Sequence, residues 1–559
     1  MKRNIVPDSW HNDIDSLIAG RLNLPVRAVK SLSVGQILEK GANSVPDKTA
    51  IVVGERRMTY KELNDMCDAL VVGLSELGIR KGDRVAIYMK NSFELVVSFY
   101  ALQKLGAIVI WINPQYRKME SEFILRNSGA KGVFIFRECL EYDYLDSILN
   151  IKENLPELEL IVVVGEGGGV GVHGFSDLIK GGLGKGYAAP GIDTQNDLSM
   201  LIYTSGSTGE PKGTMITHYQ AVRGGFMYSV VADATSEDIF LGFLPMCHSY
   251  GCGAILIQPI LLEATAVLIE KFDTEEVFQI IEKEKTTVQP AAPAHYILEL
   301  DHPNRKSYDL TSLRACLTGG QILPEGLVTR VQKEMGIYLT TMWGASEVGP
   351  GLGLICPYPS PLDIREKYVG QPVPGTSIKV VDQLTRRELP DGQVGELAMS
   401  GWHVMKGYWK MPEETGKQIV NGWFFTGDLV SRGENGFVRV HGRIKDLINR
   451  GGYKIYPFEL EAVICDYPKV DQVCVVATPN PILGENCCVC IIPIKGESVS
   501  LSEIREFLMD KVARQKLPDE LCILSEFPKL PGGFKTNKFG KGGLAELAGK
   551  DENRERYRK

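Results

Sequence analysis

With 559 residues, 44% of them hydrophobic, the chain is too long for one ordinary core, so two or more domains are expected. A formal net charge of -7, with no long basic run before the tail at 554–559, gives nucleic-acid binding no support. The N-terminus, MKRNIVPDSWHND, lacks the apolar core of an export signal. The most apolar long stretch, 253–269, is interrupted by Gln258, Pro259 and Glu263, which marks core and not a membrane span. A soluble, cytoplasmic, enzyme-sized protein is expected.

In chain order, Thr59-Tyr60-Lys61-Glu62 has the capping-box pattern, and Leu63, Met66, Leu70, Leu74 and Leu77 recur at helical spacing, so an amphipathic helix should run to about Gly78. Gly82-Asp83 turns the chain. Residues 85–88 read as a buried strand, 93–104 as a helix and 107–112 as a strand ending at Asn113-Pro114, an alternation that implies parallel βαβ units. The glycine-rich stretches 166–174 and 181–186 carry few apolar residues and are expected as a surface excursion.

The apolar run 198–202 leads into residues 203–213, YTSGSTGEPKG, and Tyr219, Ala221 and Val222 follow, so strand, loop and then helix is the expected order. Val380-Val381, Gly395-Glu396-Leu397 and 437–440, with a turn at Asp391-Gly392, suggest a β-rich region. After Arg443 the character changes. Pro457 can open a helix over 458–464, residues 470–477 and 487–494 read as strands, and Ser500-Leu501-Ser502-Glu503 caps a further helix. The expected domains are 1–443 and 444–559, the second a small α+β domain, with the boundary at 444–446. Among twelve cysteines, Cys487 and Cys490 form one C-x-x-C spacing, but no second pair accompanies it and a strand would turn the two to opposite faces. Reduced, mostly buried thiols are expected.

The segment 203–213 has the composition of a polyphosphate cradle, because glycines admit close backbone approach while Ser and Thr hydroxyls and backbone amides donate to phosphate oxygens. A P-loop is excluded: Gly206, Gly209 and Lys212 are spaced by threes, and Gly213, not Ser or Thr, follows the lysine. Five further segments complete the set: 244–251 (LPMCHSYG), 318–321 (TGGQ), 343–347 (WGASE), 425–428 (FTGD) and 442–446 (GRIKD). Together, and in this order, they resemble the adenylate-forming superfamily of acyl-CoA synthetases, peptide-synthetase adenylation domains and luciferases. The resemblance spans roughly 37–544. It implies an α/β fold, with a large N-terminal domain of βαβ subdomains plus a β-rich region and a small mobile α+β C-terminal domain.

The residues also make chemical sense. Joining a carboxylate to AMP brings two anions together, so amides, cations and a magnesium ion are needed to offset charge. Thr204, Ser205, Gly206, Ser207, Thr208, Gly209 and Lys212 would supply the cradle, and Glu347, with Thr204, would hold magnesium through hard oxygen donors. Asp428 can accept from both ribose hydroxyls, as the family aspartate does, and Arg443 would add a ribose or phosphate contact. Gly319, Gly320 and Gln321 resemble the segment along the adenine and the acyl pocket, and Trp343, Gly344, Ala345, Ser346 and Glu347 the segment beside it. The resemblance places His248 beside the acyl carboxylate, the alternative being a core histidine.

The family's catalytic lysine has two candidates. Lys535 needs the shorter insertion and is favoured, whereas Lys538 keeps the usual distance to Lys541 and Leu544 but follows Asn537. The alternative for either is a solvated-loop lysine. The resemblance further implies that the small domain turns about Lys445 and presents Gly451, Gly452 and Tyr453 beside a pantetheine tunnel. Acetyl-CoA synthetases of the family carry a tryptophan where this chain has Gly344. A deeper pocket walled by Tyr250, Gly251, Gly320 and Trp343 is therefore expected, for a medium-chain, branched, cyclic or aromatic acid.

The expected reaction is acid:CoA ligation with ATP, CoA and magnesium, through an acyl adenylate and release of AMP and pyrophosphate. The small-molecule acid, ATP and CoA are the expected partners, with no nucleic acid and no membrane span, and homo-oligomerisation is left open. The rival functions are loading of a carrier protein in trans, a luciferase-like oxygenase, and non-catalytic nucleotide binding.

Overall fold

The computed structural model describes residues 13–166, 169–204, 211–321, 323–433, 436–450, 453–529, 536–539, 542–550 and 554–557. Packing divides the chain into two compact units, one of Met1–Ile378 with Met399–Phe424, the other of Lys379–Ala398 with Phe425–Lys559.

Two large sheets form the body of the first unit among the described residues. Among the described residues, one has seven strands, in the order 212–217, 198–204, 108–111, 84–88, 132–136, 160–164 and 172–174. All its neighbours are parallel except the first two. Strands such as Arg84–Tyr88 and Ile108–Trp111 are buried on both faces, which is why they read as continuous apolar runs without alternation. The other sheet has nine strands, and Ile239–Gly242, Thr265–Leu268, Val288–Ala291, Ala315–Thr318 and Tyr338–Trp343 are its parallel centre.

The helix expected after Thr59 runs Tyr60–Glu76. Its capping box is complete, with Glu62 N donating to Thr59 Oγ1 at 3.2 Å and Thr59 N to Glu62 Oε2 at 2.7 Å. The interrupted apolar stretch is core: Cys252–Ile257 is a π-helical turn with every residue buried, and no helix among the described residues is long and apolar enough to cross a membrane.

Two expectations need correcting. Residues 172–174 are not a bare excursion but an edge strand beside Leu160–Val164. The helix Phe175–Gly182 that follows packs on Tyr60–Glu76 so closely that a Cβ on Gly182 would lie 2.0 Å from the Ala69 carbonyl oxygen. Glycine there serves close packing, which composition alone does not reveal. The phosphate-loop segment is followed not directly by a helix but by the strand Lys212–Thr217, antiparallel to Leu198–Thr204, and only then by the helix His218–Ala232. The β-branched residues of KGTMIT suit that edge position.

In the second unit, six strands among the described residues form one sheet, with Val470–Asn480 antiparallel to Gly484–Pro493 and the latter parallel to Glu520–Ile523. Helices Pro457–Ile464 and Leu501–Leu508 share the cluster of Ile448, Leu460, Val475, Val489 and Ile504. Cys487 lies in that cluster whereas Cys490 joins Cys474, Cys488 and Cys522 in another, as opposite faces of a strand require. Residues 444–446 form a short 3-10 turn.

Candidate functional site

The candidate residues of the first unit collect where open parallel sheets bind ligands, in the loops beyond the carboxyl ends of the strands. Thr204 ends Leu198–Thr204, Gly319 to Gln321 follow Ala315–Thr318, Gly344 to Glu347 follow Tyr338–Trp343, and 244–251 follow Ile239–Gly242. Asn91, just past Arg84–Tyr88, ties one sheet to the other: its Nδ2 donates to Leu244 O at 2.9 Å and its Oδ1 accepts from Met246 N at 3.1 Å.

His248 is exposed, so the core-histidine alternative does not hold, and its Nε2 lies 3.4 Å from Asn113 Nδ2. Beside it, Ser346 Oγ and Ser249 Oγ are 3.4 Å apart, which joins the two loops. Tyr250 stacks on Tyr228 with ring centroids 5.7 Å apart, and its hydroxyl donates to Leu317 O at 2.8 Å. Gly251 is pressed against Pro245 O and Gly319 against Met342 O. Gly320 turns the chain with φ of +80°. Trp343 is buried, with its ring against Gly353.

Gly344 is a glycine for a reason the sequence does not carry. A Cβ there would lie 1.4 Å from the carbonyl oxygen of Gly351, so backbone occupies the position where a pocket-filling side chain would project. Tyr228 Oη holds the same segment by donating to Pro350 O at 3.0 Å.

The cradle segment is described at its two ends. Thr204 and Lys212 face each other across the strand pair, and Thr204 Oγ1 is 3.4 Å from Lys212 O. Ser205, Gly206, Ser207, Thr208 and Gly209 lie outside the described residues. Lys212 Nζ pairs with Glu414 at 2.7 Å and stands 5.3 Å from the Tyr408 ring centroid. Bonding to Lys212, then to Lys417, holds the Glu414 carboxyl down at about 2. Tyr408 in turn donates to Glu347 Oε1 at 3.0 Å. Met215 N donates to Gly407 O and Met405 N to Glu347 O, so one extended segment fastens Lys212 and Glu347 together. Asn113, Tyr408 and Glu414 belong to this site and are absent from any motif; their partners lie far along the chain, and only a folded structure brings them in.

Thr204 and Glu347 suit magnesium, because two hard oxygen donors match an ion that keeps its waters and shares substrate phosphates.

In the second unit, Arg443 Nε pairs with Asp428 Oδ1 at 2.9 Å, the two residues being opposite each other in register. Asp428 is buried and Arg443 half exposed, and Gly427 N donates to Glu396 Oε1 at 3.0 Å to shape the turn before Asp428. Lys445 and Tyr453 are exposed. Gly451, Gly452 and Lys535 lie outside the described residues. Lys538 is described, and its Nζ is 2.9 Å from Glu461 Oε1.

The sequence profile of the AMP-binding enzyme family matches residues 38–409, and that of the AMP-binding enzyme C-terminal domain matches 459–533. A long-chain-fatty-acid–CoA ligase of Bacillus subtilis (strain 168) is 31% identical over 549 residues, covering 94% of this chain and 96% of its own. A medium-chain fatty-acid–CoA ligase of Escherichia coli (strain K12) is 30% identical, with 91% and 89% covered. Among solved structures, the anthranilate CoA ligase AuaEII in complex with anthranoyl-AMP superposes with a TM-score of 0.82 at 27% identity, covering 92% of this chain and 96% of that one.

Proposed function

Because the chain belongs to the AMP-binding enzyme family and is an AMP-forming acyl-CoA synthetase using ATP and CoA, we propose that its acid is medium-chain, branched, cyclic or aromatic. The carboxylate attacks the α-phosphate of ATP, the bond to pyrophosphate breaks, and the CoA thiol then displaces AMP from the acyl adenylate. Lys212 and the hydroxyls of the 204–209 segment hold the phosphates, and Glu347 with Thr204 holds magnesium, which offsets phosphate charge when bound. His248, oriented by Asn113, borders the acyl carboxylate. Asp428 and Arg443 hold the ribose, and Gly319 to Gln321 lie along the adenine. The small domain, 444–559, turns about Lys445 between the two steps and brings Gly451, Gly452 and Tyr453 to the pantetheine arm.

The observation that carries the assignment of roles is the run of contacts from Lys212 through Tyr408 to Glu347. It links Lys212, proposed for the phosphates, to Glu347, proposed for magnesium, through one tyrosine, which supports the two roles. For the acid, two features are favourable. No indole stands at Gly344, although the backbone of Gly351 lies against that position, and relatives of similar length act on medium-chain fatty acids and anthranilate. Either Lys535 or Lys538 supplies the ammonium that bridges the acid carboxylate and the α-phosphate during adenylation, and Lys538, which keeps the family's distance to Lys541 and Leu544, is the one carried forward.

The test is ATP–pyrophosphate exchange with acetate, octanoate, 2-methylbutyrate, cyclohexanecarboxylate and benzoate, with and without CoA. One of the four larger acids is expected to be best, with CoA thioester as product. Acetate as the best substrate overturns the acid class, and transfer only to a carrier protein overturns the ligase reading.

A further inference from the structure

Lys538 is held inside the second unit by a partner that no motif announces. Glu461 sits on the helix Pro457–Ile464, and its Oε1 takes both the Lys538 ammonium at 2.9 Å and the backbone N–H of Val475 at 2.8 Å. The pair is only partly exposed, 24% for the lysine side chain and 18% for the glutamate. The backbone at the root of the lysine is pinned as well, with Leu544 N donating to Asn537 O at 2.8 Å and Ala545 N to Lys538 O at 3.0 Å.

A second carboxylate acts on the same ammonium through its charge. Asp446 closes the turn Ile444–Asp446, and its Oδ1 has no hydrogen-bond partner among the described residues. Burial raises the Asp446 pKa, and the opposing pull of Lys538, then Lys445 and Arg443, does not cancel that rise. For Lys538, burial works against the charge, but Glu461, Cys474 and Asp446 outweigh it and its pKa rises above the usual lysine range. The lysine is therefore a cation throughout, and leaving Glu461 means breaking an ion pair without a proton transfer.

An ammonium that must bridge a substrate carboxylate and the α-phosphate cannot also satisfy Glu461. We infer that Glu461 is a positioning residue that retains Lys538 between adenylation events and competes with the substrate carboxylate for its ammonium, with Asp446 as the second acceptor beside the Lys445 turn. This rests on the proposal that Lys538 is the adenylation lysine.

Glu461→Gln tests it in the full-length enzyme, since the amide oxygen still accepts from Val475 N–H while the charge is gone. Three quantities are measured. They are trace acetylation of Lys538 by acetic anhydride, read by peptide mass spectrometry; ATP–pyrophosphate exchange with octanoate or benzoate, whichever ranks higher; and thioester formation from supplied acyl adenylate and CoA. Lys538 labelling and exchange should both rise, on the order of threefold to tenfold, while thioester formation does not rise. A merely structural role would lower both half-reactions together with Tm. Unchanged labelling, or exchange that fails to rise, overturns the inference. Lys538→Ala and Lys535→Ala separate the two readings. If Lys538→Ala keeps exchange while Lys535→Ala loses it, the lysine assignment fails and competition with it, while the labelling still reports whether Glu461 holds Lys538.

Discussion

Gly344 shows how much a single position can depend on what lies across from it. The Gly351 carbonyl oxygen stands 1.4 Å from where a Cβ would be, so even alanine must push backbone aside. Overpacking of this kind typically costs about 1–3 kcal/mol. Gly344→Ala is expected to lower the Tm and reduce turnover of every acid alike, measured by thermal unfolding and by the acid panel. An unchanged Tm with a narrowed acid range would show instead that 349–352 yields and that the position faces the pocket. Glu299 is a second case. It is fully buried, its Oε1 accepts from Gln289 Nε2 at 2.6 Å, its Oε2 has no partner among the described residues, and burial pushes its carboxyl up to about 8. The folded chain keeps a proton that the unfolded chain releases, so this group's contribution is full below the ordinary value of 4.5 and is lost as pH rises towards about 8. The slope has an upper limit of about 1.4 kcal/mol per pH unit. Glu299→Gln should flatten the fall in Tm between about pH 6 and about pH 8, and an equally steep fall in the variant would assign the slope to other groups.

Elements defined by local chemistry were legible. The boxes at Thr59 and Ser500 need only residues three apart, and Pro457 acts on its own turn, so the helices Tyr60–Glu76, Leu501–Leu508 and Pro457–Ile464 begin where the sequence places them. Ser500→Ala removes the acceptor of Glu503 N, at 3.3 Å, and is expected to cost about 1 kcal/mol. Hydrogen exchange across Leu501–Leu508 should quicken about fivefold, and unaltered protection would mean that tertiary packing alone holds the helix. The strand Lys212–Thr217 was not legible, because what makes KGTMIT a strand is its partner Leu198–Thr204 together with the bonds between Met215 and Gly407, and Gly213 and Trp409. The same holds for 172–174, whose strand character comes from the neighbour it lies beside.

Residue types and their order were enough for the βαβ alternation, the α+β character of the C-terminal part, the mostly buried cysteines and the adenylate-forming family, because each rests on local pattern or on motif identity. The site required the fold. Lys212 meets Glu414 from 202 residues away, Tyr408 meets Glu347 from 61, and Lys538 meets Glu461 from 77. Such pairs form no sequence pattern, since side-chain charge and hydrogen-bonding capacity are short-ranged in space and indifferent to chain separation. The division by packing, which sets 379–398 with 425–559, has the same origin: burial is shared between distant segments. The sequence by itself thus determined which chemistry the chain can perform. Only the tertiary structure decided which partners hold its charged groups ready, because those partners are chosen by proximity after folding.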